Sequence, residues 1–513
     1  YATQNKAAQV NSQLSSLITQ NPSQDAISYN FYDAENRVTA TVNAEGYATE
    51  YQYNLDGQLT QTTRYNNKAN SINANASWNN VKPVPDATSD LISTQYYDAL
   101  GRQKTSIAAN TATTNFEYDP NTGFLIRSVM NPGTDQSRSQ NQKLDQYGRV
   151  IADLSGIGGA TYGTSIPDAG WTAYGVKYTY DAANRRTSST DQNGHRTLYY
   201  YDQAGHLSHT INALGEVTEN RYNHLGQLTD TLRYGTRLTG VASLTGGLVT
   251  SSLTQSLAGI ANSQLDSVQH LSYNLDGRLD TSTDANGNVT TYGYDQFGET
   301  TSVTSPITAS ASIVNKTSYN KLGQVTETIQ DANGIQQTIH TDYDAFGRAN
   351  RSVDANGNVT TQRFDRLGRV VEVTDQGSAH NNKTSYNAFN QVLTQTDAKG
   401  YVTTYTYKNN QLTPETKVSS AEGSVVVTTM NPYGQVISST DGKGNTTSLI
   451  YDKDGNLKTK TTSDGVNNVL VSSFYDNADL LKESTDANGN KTTYAYDDVN
   501  RLISKTLIIA GSD

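Results

Sequence analysis

"YDAFGRANRSVDANGNVTTQRFDRLGRVVEVTD", Tyr343 to Asp375, contains Asp-x-x-Gly three times: Asp344 to Gly347, Asp354 to Gly357 and Asp365 to Gly368. The phrases are separated by Arg348 to Val353 and by Asn358 to Phe364, and the last is followed by Arg369 to Thr374. Six or seven residues rich in Thr, Val and Tyr make a strand. Asp-x-x-Gly makes a type I turn, in which the Asp side chain accepts from backbone two residues on and Gly takes the positive φ. The stretch therefore reads as consecutive β-hairpins.

Working outward, an aromatic residue before a corner recurs at steps of 21: Tyr180, Tyr201 and Tyr222; Tyr273 and Tyr294; Tyr343 and Phe364; Tyr475 and Tyr496. Weaker copies carry Leu144 or Met430 in that slot. Self-similarity at a fixed period marks a repeat architecture. One strand of each unit shows a period-two face, as in Thr290, Tyr292 and Tyr294 or Thr197, Tyr199 and Tyr201, so tyrosines of successive hairpins form ladders on one side of a sheet. The signature positions are Tyr294, Asp295 and Gly298; Asp354, Asn356 and Gly357; Phe364, Asp365, Gly368 and Arg369; and Tyr496 and Asp497.

The array is interrupted. "LTQTTRY" (59–65) and "LTDTLRY" (228–234) match each other, and each precedes an insertion. The first insertion, 66–90, reads as a loop. The second, 235–268, places Leu253, Leu257, Ile260, Leu265 and Val268 at helical spacing, which predicts a short amphipathic helix. The stretch 150–175, with its glycines from Gly156 onward, reads as irregular. Ala7, Val10, Leu14, Leu17 and Ile18, stopping before Pro22, predict another helix in a segment 1–24. The repeat array then spans 25–507, followed by a tail, 508–513.

Composition agrees with thin layers rather than a deep core. Of 513 residues, AVILMFWYC make up 34%, against the ~45–50% of ordinary globular chains. The 34 Tyr still set the chain apart from disordered sequences. The net charge of -11 and the lack of a basic cluster argue against nucleic acid as a partner. With no cysteine there are no disulfides or thiolate metal sites, and no apolar run approaches the length of a membrane span.

The repeated aspartates invite a calcium reading. In "DANGN" (284–288, 354–358, 486–490), however, Gly stands fourth where the helix-loop-helix calcium loop needs it sixth, and no bidentate Glu follows. The turn explains Asp and Gly without a metal. His195, His206, His209 and His224 fall close together, but His206 and His209 are an odd number apart and face opposite ways on a strand. His270, His340 and His380 lie farther along. No nucleophile elbow, phosphate loop or distinguished carboxylate pair is present, so no catalytic residue, cofactor or metal is assigned.

"TTYGYDQFGE" (290–299), "YDALGR" (97–102), "FDRLGR" (364–369) and "YDDVNR" (496–501) resemble the RHS or YD repeat. The resemblance covers roughly 25–507. Proteins of that family include bacterial insecticidal toxin-complex components, polymorphic toxins and animal teneurins. It implies an all-β strip of hairpins spiralling into a hollow shell, with no catalytic role, which in the toxin members encloses a toxic domain. The partners so implied are an enclosed toxin or cargo, as the C-terminal continuation of the same polypeptide, and a delivery component. The implied location is secreted or on a bacterial cell surface. The family's self-cleaving core motif has no match here, so that activity transfers to no residue. The sequence is expected to be part of a larger shell or an open curved wall. A surface adhesin or glycan-binding protein is the alternative reading, and a carbohydrate-active enzyme the third.

Overall fold

The structure is a computed structural model that describes residues 25–511 except 71–75, 155, 164, 309, 378–380 and 467. The helix expected over Ala7 to Ile18, and His380, lie outside the described residues.

One antiparallel sheet of 39 strands runs from β1 (Tyr29–Tyr32) to β39 (Leu502–Ile508). Each strand pairs with the next in sequence, mostly because the connection is a corner too short to reach anywhere else, and the long connections after Lys68 and Leu154 also return to the neighbouring position. The one exception is β17 (Gly247–Leu248), which leaves the meander to pair in parallel with β13 (Arg196–Tyr201), so that β16 (Leu228–Arg233) bonds directly to β18 (Ser267–Tyr273). The pairings leave β1 and β39 with one neighbour each, and the sheet is open.

The two edges of the strip differ. At the Tyr-Asp corners the register slips at the tyrosine, as at Gly293/Tyr294, Arg363/Phe364 and Ala495/Tyr496, which puts an extra residue on the outgoing strand. The Asp-Ala-Asn-Gly corners on the other edge show no slip. A bulge that recurs along one edge, with only occasional shifts on the other as at Pro306/Thr308, adds twist there and bends the strip.

All three interruptions leave from the Asn-Gly edge and fold onto the face opposite the tyrosine ladder. The insertion from Gly235 lays the helix Ser251–Ala258 over Leu198, Tyr200, Ile211 and Val217, and buries Leu253 and Leu257 among them. This helix is shorter than expected. Gly259 caps it, Ile260 and Leu265 lie beyond it, and Val268 already belongs to β18. The first insertion is not wholly a loop, since β4 (Leu59–Lys68) runs into it and Trp78–Val81 forms one helical turn. Trp78 and Tyr65 cover Val42 and Ala48. The stretch 150–175, expected to be irregular, is a strand and two short helices, Gly156–Tyr162 and Asp168–Tyr174, with Trp171 packed on Ala152 and Leu154. Where nothing covers that face it ranges from half-buried to exposed, while the tyrosine face stays half-buried. Along Val402–Lys408 the two classes alternate residue by residue.

The strip winds back on itself. Corners of the Asn-Gly edge in the first part of the chain meet Tyr-Asp corners some 283 to 323 residues later: the Glu45 carboxylate accepts from Arg366, and the carbonyl of Thr88 from Asn410. Farther along, Gln435 accepts from Arg138, the Ala173 carbonyl from Asn477, and Glu216 from Arg501. About two dozen strands separate each pair of contacts. At ~4.8 Å per strand that is a circumference of ~115 Å and a radius of ~18 Å.

Candidate functional site: the Tyr-Asp corners and the seam between coil turns

Each Tyr-Asp corner is a hydrogen-bonded unit built from its own sequence. In 365–369 the Gly368 N–H donates to the Asp365 carbonyl, and the Asp365 N–H to the Arg369 carbonyl. The Asp365 carboxylate accepts from the backbone N–H groups of Leu367 and Arg369 through Oδ1, and from the Arg369 guanidinium at 2.7 Å through Oδ2. The same pairing of Asp with Arg four residues on occurs at Asp33, Asp98, Asp145, Asp181, Asp344 and Asp497. At Asp98 the Arg102 backbone N–H does most to hold the carboxyl below the usual range, partial burial opposes it, and the Arg102 guanidinium adds to the lowering. The left-handed position takes Gly298 (φ 91°) and Gly368 (φ 81°), but Asn184 and Asn500 also fill it, at φ 62° and 64°. Asn tolerates that region better than other residues with a Cβ.

The tyrosine before each corner ties the unit to the previous one. Tyr294 donates its hydroxyl to the Leu279 carbonyl at 2.7 Å and Tyr496 to that of Leu481 at 2.8 Å, in each case 15 residues back. Tyr53, Tyr118, Tyr201, Tyr222, Tyr407 and Tyr451 do the same over the same separation. The corner arginine then lies over the ring of the following repeat: Arg348 over Phe364 at 4.6 Å, Arg369 over Tyr386 at 4.6 Å and Arg278 over Tyr294 at 5.7 Å. Phe364 keeps the cation–π contact without the hydroxyl bond. Asp, Arg and Tyr thus form one chain of contacts along the edge. The signature Asp295, Asp365 and Asp497 all lie on it, while Asp354, Asn356 and Gly357 lie on the opposite edge. There Asn358, not Asn356, supplies the side-chain bond to Asp354. Asn356 contributes only its backbone N–H.

At the two matching insertions a half-buried carboxylate adds a second anchor. Glu50 accepts from the Tyr65 hydroxyl, from Trp78 Nε1 and from Lys82 Nζ, both of the latter at 2.9 Å. Glu219 accepts from Tyr234 at 2.6 Å and from Arg221 at 2.7 Å. Burial and the carboxylate raise both tyrosines well above the ordinary phenol value. Each Tyr closes "LTQTTRY" or "LTDTLRY", so the shared phrase marks a shared anchor for the chain leaving the sheet. The phrase stands out in the sequence, whereas Glu50 and Glu219 do not; their common spacing of 15 residues from the tyrosine was the available signal.

At the seam, Tyr-Asp corners of the second coil turn dock on the Asn-Gly edge of the first. Arg138 covers the Tyr433 ring at 3.9 Å, and Arg64 covers Phe389 at 5.3 Å. The Asp454 carboxylate accepts from the Ile157 N–H, and a Cβ on Gly156 would stand 2.0 Å from that carboxylate, so only glycine admits the approach. Glu216 receives Arg501, Asn212 and Arg237, which hold its carboxyl down at about 2. The histidines are dispersed. His195 sits at the seam against Asp191 and Asn500, while His206 closes a corner with Asp202. Among the described residues no group of three or more His, Asp or Glu is arranged to hold a metal, and no helix is long and apolar enough to cross a membrane.

The profile of the RHS Repeat matches seven segments: 32–67, 180–217, 273–306, 343–379, 386–425, 431–466 and 475–507. The chain belongs to the RHS-repeat family. Each matched segment opens at or beside a Tyr-Asp corner, and the gaps between them include the three interruptions. Among curated proteins no sequence is close enough to match. Solved structures with a similar course of chain include TcdB2-TccC3-TEV, at 14% identity over 91% of this chain and 30% of that one, with a TM-score of 0.36. They also include TcdB2-TccC3 without its hypervariable C-terminal region (14%, 95% and 31%, TM-score 0.37) and a Tc holotoxin pore of Photorhabdus luminescens (14%, 92% and 30%, TM-score 0.36). The chain spans about a third of the length of these solved chains.

Proposed function

We propose that this RHS-repeat chain is a container wall, a non-catalytic shell segment of a secreted bacterial toxin system that encloses a toxin or other cargo. The observation that carries the reading is the seam. A strip that merely curved would leave a gap between its turns, whereas here side chains from both edges bridge the turns at Glu45, Arg138, Asp191 and Glu216. Backbone groups are satisfied along the ladder and turn-to-turn contacts close the wall, so enclosed chain is kept from proteases without covalent chemistry. With a radius of ~18 Å, less ~5 Å of side chains, the space inside one and a half turns is on the order of 10⁴ Å³, the volume of a small domain. The cargo is the same polypeptide's continuation, and a delivery component opens or docks the shell.

The test is limited proteolysis of the natural full-length polypeptide. The container reading expects a fragment beyond Asp513 that resists protease in the native protein and is digested after acid or denaturant opens the coil. Equal digestion before and after would refute it. Binding of the same protein to a glycan array with no protected fragment would establish the adhesin reading instead.

A further inference from the structure

The two faces of the strip carry their charges differently. Opposite the tyrosine ladder they come as cross-strand pairs, Arg363 with Glu372, Lys408 with Glu415 and Lys491 with Glu483. On the tyrosine face the strands between Leu457 and Ile508 carry Lys458, Lys460, Lys482 and Lys505 and no carboxylate, since their one acid, Glu483, points the other way. The register fixes that face. Lys460 stands opposite Leu449, which shares a face with Tyr451, and Lys505 stands opposite Tyr494. Lys482 Nζ lies over the Tyr496 ring at 5.5 Å, and Lys505 Nζ over that of Tyr494 at 5.8 Å. Lys482 has Asp476 at 4.0 Å, whereas Lys458 and Lys460 are exposed and make no ion pair among the described residues. The four are dispersed along the chain, but on the alternate strands β35 (Leu457–Ser463), β37 (Leu481–Thr485) and β39 they stand ~10 Å apart in a run of ~19 Å.

Where this run meets the seam lies a cavity of about 530 Å³. Its apolar wall is Ile437, Leu449 and Tyr451 from the second coil turn and Ile157 from the first, with Lys458 beside them. The other cations there are spent, Arg138 on Gln435 and the Tyr433 ring, and Lys453 on the Asp135 carbonyl. Of the two acids at the cavity, Asp452 is spent on the backbone of its own corner and Asp135 is exposed.

We propose that the cavity and the lysine run form a binding site for an extended acidic peptide, which places an apolar side chain in the cavity and carboxylates on Lys458, Lys460, Lys482 and Lys505. An apolar wall with an unpaired lysine beside it calls for a ligand of both characters. The length of the run selects a polymer. A small carboxylate would use the cavity and one lysine, whereas an extended chain with a carboxylate at every third residue, ~10 Å apart, meets the lysines on alternate strands. The aliphatic side chains of Ile157, Ile437 and Leu449 suit Leu or Ile, while a nucleobase calls for aromatic stacking surface.

The site stands apart from the container reading, because it needs one face and one stretch of seam and no closed coil. The test is fluorescence anisotropy of a labelled peptide of repeated Glu-Glu-Leu, titrated with the purified chain. Saturable binding is expected, weakened about tenfold or more by Lys458→Gln with Lys460→Gln and by a peptide in which Ser replaces Leu. Lys408→Gln with Lys491→Gln, on the opposite face, should leave it unchanged. These four lysines are exposed, so both variants should fold as the parent chain does. Absence of saturable binding, equal losses from the two faces, indifference to Leu in the peptide, or tighter binding of an oligothymidylate than of the peptide would overturn the proposal.

Discussion

The two parts of this sheet are built from the same repeat and held together by different means. Every buried apolar residue among those described lies between Ala40 and Leu257, and the three clusters they form lie under an interruption that folds back onto the sheet. From Ala258 to Gly511 there is none, yet the strands, corners and ladder continue unchanged. The repeat therefore needs no core of its own. Corner hydrogen bonds, the Tyr hydroxyl to the preceding repeat and the Arg over the next ring suffice once neighbours on both sides share the cost of order, as in other one-dimensional repeat arrays. The covered part gains conventional hydrophobic stabilisation, and the bare part leans on it through the seam.

The largest effect that would sharpen this contrast is a truncation made in both parts. Leu198→Ala, beneath the helix Ser251–Ala258, should cost about 2–5 kcal/mol, measured as urea unfolding followed by a probe on that helix. Ile450→Ala in the bare part should cost about 1 kcal/mol or less, because the side chain lies on the uncovered face and is exposed. Equal costs would break the comparison. Next comes the hydroxyl. Tyr65→Phe leaves the half-buried Glu50 carboxylate short of a donor and should cost about 2 kcal/mol, whereas Tyr294→Phe frees a carbonyl that water can reach and should cost about 1 kcal/mol.

Backbone strain is expected to be smaller. Gly357 has φ +82° and open space where a Cβ would stand, so Gly357→Val should cost about 1–2 kcal/mol through φ alone. Asn36→Gly, where an exposed Asn already accepts φ 63°, should change stability by about 0.5 kcal/mol or less. Chelators should leave the melting temperature of the parent chain unchanged. A fall on chelation would mean that metal, not turn geometry, explains the aspartates. The smallest effect is at the seam. The Glu216 carboxyl is held at about 2 in the folded chain against an ordinary 4.5. Because the folded value is the lower one, its contribution is complete above the ordinary value and fades as pH falls through about 2. Glu216→Gln should flatten that part of the melting profile and, at neutral pH, remove its two exposed ion pairs, to Arg237 and Arg501.

Much of this was legible in the sequence because the corner is local. Asp365, Gly368 and Arg369 are within five residues of one another, so their spacing states their geometry. The tyrosine face was legible for the same reason, through its period of two. The interruptions were harder. The glycines from Gly156 looked like irregular chain, but they let two short helices pack closely: a Cβ at Gly158 would stand 2.6 Å from Tyr174. In the second insertion the helical spacing from Leu253 to Val268 overran a real stop at Gly259. The seam left no periodic trace at all. Glu45 and Arg366 are 321 residues apart, and which tips meet is fixed by the curvature accumulated over some two dozen strands, a sum that no single stretch encodes.

That separation also has a consequence in time. Nearly every strand pairs with one made only a few residues earlier, so the ladder can be laid down as the chain emerges from the ribosome, each hairpin templated by the last. The seam obeys a different clock. Among the described residues its earliest bond, to Glu45, waits for Arg366, about one revolution later. The three interruptions are all made within that interval, with buried side chains beneath each of them. Burial is thus laid down before the first of these seam bonds can form, and the later strands are added beside a turn that is already packed.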